Sequence, residues 1–288
     1  MTAGSGDPRS VIPFERLPEG FAGSLEELPD VPVTPRPAAT IVLLRDGVDG
    51  LEVLLMRRNR RAGFVPGAWV FPGGRVDGSD AGPDVVELLA DLSPSEAERR
   101  LDLAGADPPA IAYYLAALRE AFEETGILVG ERPDGSPPPT AAESPAVDQV
   151  RETLMADRIS FAEALERLEC RIDGDAIEYV AHWITPVPEP RRDDTRFFAA
   201  AVPAGAKAII DPREMVDALW IAPGAALDRC DAGDLPMVFP TIKTIEELSD
   251  FPSVESALDV LGRREVRTIL PTLVVTPTGV GLDIDDET

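Results

Sequence analysis

The segment from Asp107 to Gly126 constrains the fold of this chain most, because it combines a helix start, a helix end and two chemically opposite faces. Asp107 followed by a proline is typical of a helix start, and Gly126 of a helix end. At roughly 100° per residue, Glu123 and Glu124 lie roughly 60° and 40° to either side of Glu120. Four apolar side chains lie near the opposite pole: Ile111, Leu115, Leu118 and Phe122. The pattern predicts a helix with one core-facing side and one side that carries three carboxylates.

These three carboxylates repel one another and destabilise the helix. A divalent cation bound between them would replace this repulsion by attraction. Like charges at i, i+3 and i+4 destabilise a helix. Carboxylate oxygens suit Mg²⁺ or Mn²⁺, which also bind phosphate oxygens and activate water. Acidic runs are usually solvated faces, but the five fixed residue types of R-E-x-x-E-E-x-G would match by chance in about one window per million. The pattern therefore favours a metal-binding helix.

Residues 119–127, Arg-Glu-Ala-Phe-Glu-Glu-Thr-Gly-Ile, resemble the second half of the Nudix box, G-x5-E-x7-R-E-U-x-E-E-x-G-U, where U is aliphatic. Residues 71–77, Phe-Pro-Gly-Gly-Arg-Val-Asp, resemble its glycine loop. Counting on from Gly74 places Asp80 where the family has Glu, and Ala121 occupies the U position. Residues 81–118 then separate Asp80 from Arg119, which is 31 residues more than the usual seven. Because both halves are well formed, an inserted helical segment is the simpler interpretation.

The interruption is similar to that of one Nudix branch, related to mitochondrial and peroxisomal coenzyme A diphosphatases. Residues 70–77 resemble that branch, as do residues 183–186 and 191–198, although Asp193 stands where the branch has an aromatic residue. The resemblance spans roughly residues 38–248. It implies an α/β fold, specifically a Nudix-like α/β/α sandwich with a mixed sheet and a helical insertion. Residues 1–36 are rich in Pro, Gly and charge and predict an extended arm, which leaves one domain over 37–288. Within it the insertion is expected at about 81–107, and a Pro/Gly/Ser-rich stretch predicts a loop at about 130–147.

The local patterns predict the elements of this domain. Two β-rich runs around Asp-Gly turns, 39–45 and 51–56, predict a hairpin. Ser93 is a predicted N-cap within a helical stretch, 84–103. Further helices are expected over 149–168, 224–230, 241–248 and 254–261, and strands over 68–71, 127–129, 179–185, 196–202, 219–221 and a closing pair within 266–282.

The resemblance also implies roles for the acidic helix. Glu120, Glu123 and Glu124 would coordinate the metal, and Arg119 would orient one of them through an ion pair. The catalytic residues are then Glu120, Arg119 and Glu123, with Glu120 as the general base. A loop residue, Glu214, is the alternative base.

The glycine loop is the second predicted part of the site. The carbonyl of Gly73 or Gly74 would add a neutral ligand to the metal, because glycine lets the backbone approach closely. Asp80 is a weaker candidate ligand. The insertion must loop out and return, which leaves both glycines beside the three glutamates.

An arginine cluster at positions 57, 58, 60 and 61 follows the hairpin of this acidic chain. It either attracts a phosphorylated substrate or is a solvated hairpin end paired with carboxylates. The arginines at 191, 192 and 196 carry the same two interpretations. The predicted substrate-binding residues are Arg58, Arg61, Gly73, Arg75 and Arg196.

The charge balance limits the partners. With 52 acidic and 27 basic residues, the net charge of −25 repels nucleic acid, so a small phosphorylated substrate is expected instead. No apolar run is long enough to cross a membrane, and two cysteines, Cys170 and Cys230, form no disulfide framework. These features predict a cytoplasmic protein. His182 is the only histidine, which leaves little for a zinc site, and a homodimer through the insertion is an open alternative.

The sequence thus predicts a metal-dependent hydrolase that cleaves a diphosphate bond in a nucleoside diphosphate derivative. Coenzyme A or an acyl-coenzyme A is the favoured substrate. One alternative is the hydrolysis of ADP-ribose or a dinucleotide. The other is a non-catalytic Nudix-fold module that binds a nucleotide or a protein, an alternative motivated by Asp80 and the long insertion.

Overall fold

A mixed β-sheet forms the centre of the computed structural model, which describes residues 9, 11–14, 31–59 and 67–284. The strand order is β10-β3-β2-β9-β8-β11, with β2 parallel to β9, β8 parallel to β11 and the other neighbours antiparallel. The two short strands β4 and β5 pair with β3 and β2. The strands of this sheet are β2 (Arg36–Gly47), β3 (Gly50–Arg58), β4 (Trp69–Val70), β5 (Gly73–Arg75), β8 (Ile177–Ile184), β9 (Asp193–Ala201), β10 (Met215–Ile221) and β11 (Thr268–Ile269).

Two smaller sheets flank it. β1 (Val11–Pro13), β13 (Gly279–Asp283) and β12 (Thr272–Thr276) form one in that order, and β6 (Leu89–Ala90) pairs in parallel with β7 (Ile172–Asp173) in the other. The helices are α1 (Pro83–Val86), α2 (Pro94–Leu101), α3 (Ala110–Thr125), α4 (Pro145–Met155), α5 (Phe161–Arg167), α6 (Pro223–Asp231), α7 (Phe239–Leu248) and α8 (Val254–Leu261). No helix within the described ranges combines the length and the apolar character needed to cross a bilayer.

Strand β2 shows why the sheet is covered on both faces. Its side chains alternate between two cores, with Ile41 and Leu43 in one and Val42 and Leu44 in the other, all fully buried. Such a strand reads as a continuous apolar run, because both of its faces lie against helices. Helices α1 to α5 contribute to the first core and α6 to α8 to the second. This arrangement confirms the predicted α/β/α sandwich with a mixed sheet.

Several predicted elements are confirmed and three are wrong in part. The 39–56 hairpin is confirmed as β2–β3, and Ser93 caps α2 by accepting a hydrogen bond from the Glu96 N–H. The 84–103 helix is broken because residues 89 and 90 form β6, which pairs with β7. The 149–168 helix is broken at Asp157, whose backbone is left-handed at φ 53°. Residues 127–129 form no strand and are buried without a ladder partner.

Helix α3 begins at Ala110, two residues later than the predicted first helical residue, Pro108. Residues that precede a proline avoid the helical region, and this excludes both Asp107 and Pro108. Pro109 is accordingly extended, at ψ 153°. The N-terminal arm and the boundary at residue 37 stay predictions, since most of residues 1–30 lies outside the described ranges.

Candidate active site

The acidic helix α3 is buried almost all round, including the side that the sequence predicted to be acidic. It packs against β2, β5, α2 and α4. Gly126 ends it at φ 68°, and its N–H bonds to the Phe122 carbonyl at 2.9 Å. From α4, the buried Arg151 donates from Nε to the carbonyls of Phe122 (3.1 Å) and Glu123 (2.8 Å). These contacts fix the last turn of the helix, which carries the glutamates.

The glycine strand β5 lies directly against the glutamates, although 31 additional residues separate the two in sequence. The N–H of Gly73 donates to Glu124 Oε2 at 2.9 Å. A Cβ at Gly74 would lie 2.4 Å from the carboxyl carbon of Glu120, closer than any real contact. A Cβ at Gly73 would lie 2.5 Å from the Ala39 carbonyl oxygen. Position 73 therefore requires glycine because a Cβ would meet backbone atoms, whereas a Cβ at position 74 would displace the carboxylate of Glu120. The insertion returns the chain as the sequence predicts.

Arg119 lies at the centre of the site and binds both ends of the insertion together. Its Nε donates to Asp80 Oδ1 at 2.8 Å, and its Nη2 donates to Asp80 Oδ2 at 3.0 Å. Its Nη1 donates to Glu120 at 2.9 Å and to Glu123 at 3.4 Å, and Nη2 also reaches the Arg75 carbonyl at 3.0 Å. The sequence predicted that Arg119 orients a glutamate. The structure adds that its bidentate partner is Asp80.

Asp80 therefore has a larger structural role than the sequence predicts, where it is only a weaker candidate metal ligand. Its side chain is 1% exposed and lies in a 3-10 turn, Gly78–Ala81, where it also accepts the Asp77 N–H at 2.8 Å. A shorter aspartate serves here because the turn brings its carboxylate directly to the guanidinium. The signal in the sequence was its place in the Nudix pattern, where the family has a glutamate.

The three glutamates lie in an environment that opposes their ionisation. Burial is the main cause in each case: it raises the pKa of Glu120, that of Glu123 to about 7, and that of Glu124 well above its usual range. Repulsion between neighbouring carboxylates adds to the increase, and Arg119 opposes it at Glu120 and Glu123. Burial and mutual repulsion therefore both favour the protonated forms of these carboxylates.

The residues fit a divalent cation by their chemistry. Among the described residues, no three carboxylate, histidine or cysteine side chains converge into a ready metal cage, because Arg119 and the Gly73 N–H hold the glutamates. Arg119 nevertheless supplies one positive charge to four acidic side chains: Asp77, Asp80, Glu120 and Glu123. Hard oxygen donors with excess negative charge suit Mg²⁺ or Mn²⁺.

The predicted substrate-binding arginines are placed differently from one another. Arg58, on β3, lies close enough to Glu124 to lower its pKa, whereas the exposed carboxylate of Glu214 raises it. Arg75 is exposed at the end of β5. Arg61 lies outside the described residues.

Arg196 lies apart from the carboxylates. Its side chain is 4% exposed, its guanidinium lies 4.4 Å from the Tyr113 ring centroid, and Nη1 donates to Asp194 at 2.9 Å. The same carboxylate lies 2.5 Å from Nε2 of His182. The structure therefore does not bring Arg196 to Glu120, Glu123 or Glu124, and its predicted contact with substrate stays a prediction.

Comparisons with known proteins show the family of the chain. Residues 34–248 match the family model described as the NUDT19 Nudix domain. The chain is 28% identical to the acyl-coenzyme A diphosphatase NUDT19 of Homo sapiens over 81% of its own length and 70% of that protein. It is 29% identical to the protein of the same name in Gallus gallus, over 70% of its own length and 62% of that protein. A crystal structure of a NUDIX hydrolase from Alicyclobacillus acidocaldarius superposes with a TM-score of 0.66 at 28% identity, covering 80% of this chain and 98% of the other.

Proposed function

The chain belongs to the NUDT19 Nudix domain family, and from this premise we propose that it hydrolyses the diphosphate bond of coenzyme A or an acyl-coenzyme A. The observation that carries the proposal is the contact between the glycine strand and the acidic helix, in which Gly73 donates to Glu124 and Gly74 abuts Glu120. The substrate class is supported by the relatives in human and chicken that are named acyl-coenzyme A diphosphatases.

The proposed metal ligands are Glu120, Glu123, Glu124 and the backbone of Gly74, with Mg²⁺ or Mn²⁺ as the ion. A divalent ion held there neutralises diphosphate charge and lowers the pKa of water. Arg119 positions Glu120 and Glu123, because its forked donors also grip Asp80. It is a positioning residue.

The proposed reaction is attack of a water oxygen on one phosphorus of the diphosphate. The bond from that phosphorus to the bridging oxygen breaks, and the electron pair leaves with the second phosphate. Glu120 accepts the proton of the attacking water, with Glu214 as the alternative base. From coenzyme A the products are an adenosine bisphosphate and a phosphopantetheine. Arg58 and Arg75 are the proposed contacts to the substrate phosphates.

A turnover assay tests this proposal. The purified chain is incubated with Mg²⁺ or Mn²⁺ and coenzyme A, an acyl-coenzyme A, ADP-ribose, NADH or a diadenosine polyphosphate, and products are identified by mass spectrometry. We expect cleavage of coenzyme A or its acyl derivative, loss of cleavage in Glu123→Gln/Glu124→Gln, and no change in the exposed control Glu166→Gln. Preferred cleavage of ADP-ribose or a dinucleotide would reassign the substrate. No cleavage of any compound would favour the non-catalytic alternative.

A further inference from the structure

A cleft of about 440 Å³ opens beside the carboxylates, between the glycine loop and the turn that joins α4 to α5. Arg119 and Glu123 line it on the side of the acidic helix. The buried side chains of Leu154, Ile159 and Phe161 line it from the opposite segment. Its volume lies within the usual range for small-ligand sites, about 300–1,000 Å³. The cleft therefore connects the proposed catalytic centre to the α4–α5 turn, and its volume would admit part of a nucleotide.

Arg158 is the basic residue that the α4–α5 turn contributes to this cleft. The turn is well fixed: Asp157 is left-handed, and the Arg158 N–H bonds to the Thr153 carbonyl at 3.1 Å. Ser160 begins α5 with a reciprocal capping box to Glu163. The backbone therefore holds Arg158 beside the cleft while its exposed side chain stays free to meet a ligand.

Arg158 differs in its partners from the other arginine of the cleft. Arg119 is saturated by carboxylates and a carbonyl. The side chain of Arg158 makes no ion pair or hydrogen bond with any described residue, although the chain carries a net charge of −25. A guanidinium with unused donors suits a phosphate, which it binds through two parallel hydrogen bonds.

The insertion supports the wall that carries Arg158. Its strand β6 pairs with β7, and its helix α1 packs against α5. Arg100 of the insertion donates to Asp175 at 2.8 Å, just beyond β7. The insertion therefore packs directly against α5, which forms one side of the cleft, and pairs with the chain that follows α5.

We propose that Arg158 binds a phosphate of the substrate that lies outside the scissile diphosphate. The inference rests on the proposed function, which places the diphosphate at the glutamates. A nucleotide that extends from the glutamates along the cleft would then bring an additional phosphomonoester on its ribose to Arg158. The ligand class is a nucleoside diphosphate derivative with a further ribose phosphate, and the 3′-phosphate of coenzyme A is such a group.

The kinetic test compares coenzyme A with 3′-dephospho-coenzyme A. For Arg158→Ala we expect KM for coenzyme A to rise by about tenfold to a hundredfold, the usual effect of losing a charged hydrogen bond. We expect kcat to change little and KM for the dephospho compound to stay the same. Arg158→Lys should recover part of the loss, and Arg167→Ala, an exposed arginine on α5 outside the cleft, should change neither substrate. Equal losses on both substrates, or none, would overturn the proposal.

A binding measurement separates this proposal from the proposed function. Adenosine 3′,5′-bisphosphate and AMP are each titrated into the full chain by calorimetry, which requires no turnover. Binding of the bisphosphate that exceeds binding of AMP, and that weakens in Arg158→Ala, supports the subsite even where no coenzyme A is hydrolysed. The subsite is overturned if the wild type binds the bisphosphate no better than AMP, or if Arg158→Ala binds the bisphosphate as well as the wild type does. Either result counts even where coenzyme A is hydrolysed.

Discussion

Replacing Arg119 by methionine tests whether its hydrogen bonds hold the carboxylates of the site together and stabilise the fold. The wild-type guanidinium donates five hydrogen bonds, two to Asp80, one each to Glu120 and Glu123, and one to the Arg75 carbonyl. Methionine fills a similar length but leaves Asp80, 1% exposed, as an unpaired buried charge. Breaking a buried ion pair in this way costs about 3–5 kcal/mol. That loss corresponds to a fall of roughly 10 °C in Tm.

The assay is thermal unfolding by circular dichroism in EDTA, with Asp80→Asn as the partner variant. Asp80→Asn removes the carboxylate charge, so Arg119→Met should cost about 1–3 kcal/mol less in that background. Arg99→Lys is the control, because Arg99 makes its ion pair with Glu96 at the surface and is 71% exposed. Its effect should stay within about 0.5 kcal/mol.

Two results would refute the reasoning. One is an Arg119→Met variant as stable as the Arg99→Lys control, since the five contacts would then contribute nothing measurable. The other is full additivity with Asp80→Asn, which would show that the two side chains are not coupled.

Three further variants test the surroundings of the glutamates. Gly74→Ala should lower activity with little change in Tm, since its Cβ would displace the flexible carboxylate of Glu120; unchanged activity would contradict the contact. Arg151→Met should cost about 1–3 kcal/mol, measured by urea unfolding, because it removes the side-chain donor of the Glu123 carbonyl and the second donor of the Phe122 carbonyl; an unchanged midpoint would contradict that. Glu123→Gln should raise Tm in EDTA, because burial raises the pKa of Glu123 from 4.5 to about 7 and ionisation therefore costs stability. This gain should be absent near pH 4.5, grow as the pH rises to about 7 and then level off, and a gain independent of pH would contradict it.

The sequence predicts the sheet and the acidic helix well because both follow from local patterns. The two β-rich apolar runs on either side of Gly47 and Gly50 suffice for the β2–β3 hairpin. The left-handed Gly126 suffices for the end of α3. The break at residues 89 and 90 was not predictable in the same way, since its cause is pairing with residues 172 and 173, far along the chain.

The residues of the candidate site also differ in whether a local sequence pattern can predict them. Glu120, Glu123 and Glu124 could be predicted because they lie on one helix with fixed spacing. The bidentate grip of Arg119 on Asp80 depends on how 38 intervening residues fold, and no local pattern reports that. The cleft lining from 154 to 163 was missed for the same reason, because only the folded chain brings it opposite Glu123.

Titration of Mn²⁺ into the chain, followed by electron paramagnetic resonance, tests the proposed metal-binding helix most directly and requires no knowledge of the substrate. The account predicts saturable binding by the wild type and by Glu166→Gln, and binding weakened at least about tenfold in Glu123→Gln/Glu124→Gln, as expected when two carboxylate ligands are lost. Equal affinity in the wild type and the double variant would contradict the central claim, because the metal would then be held elsewhere.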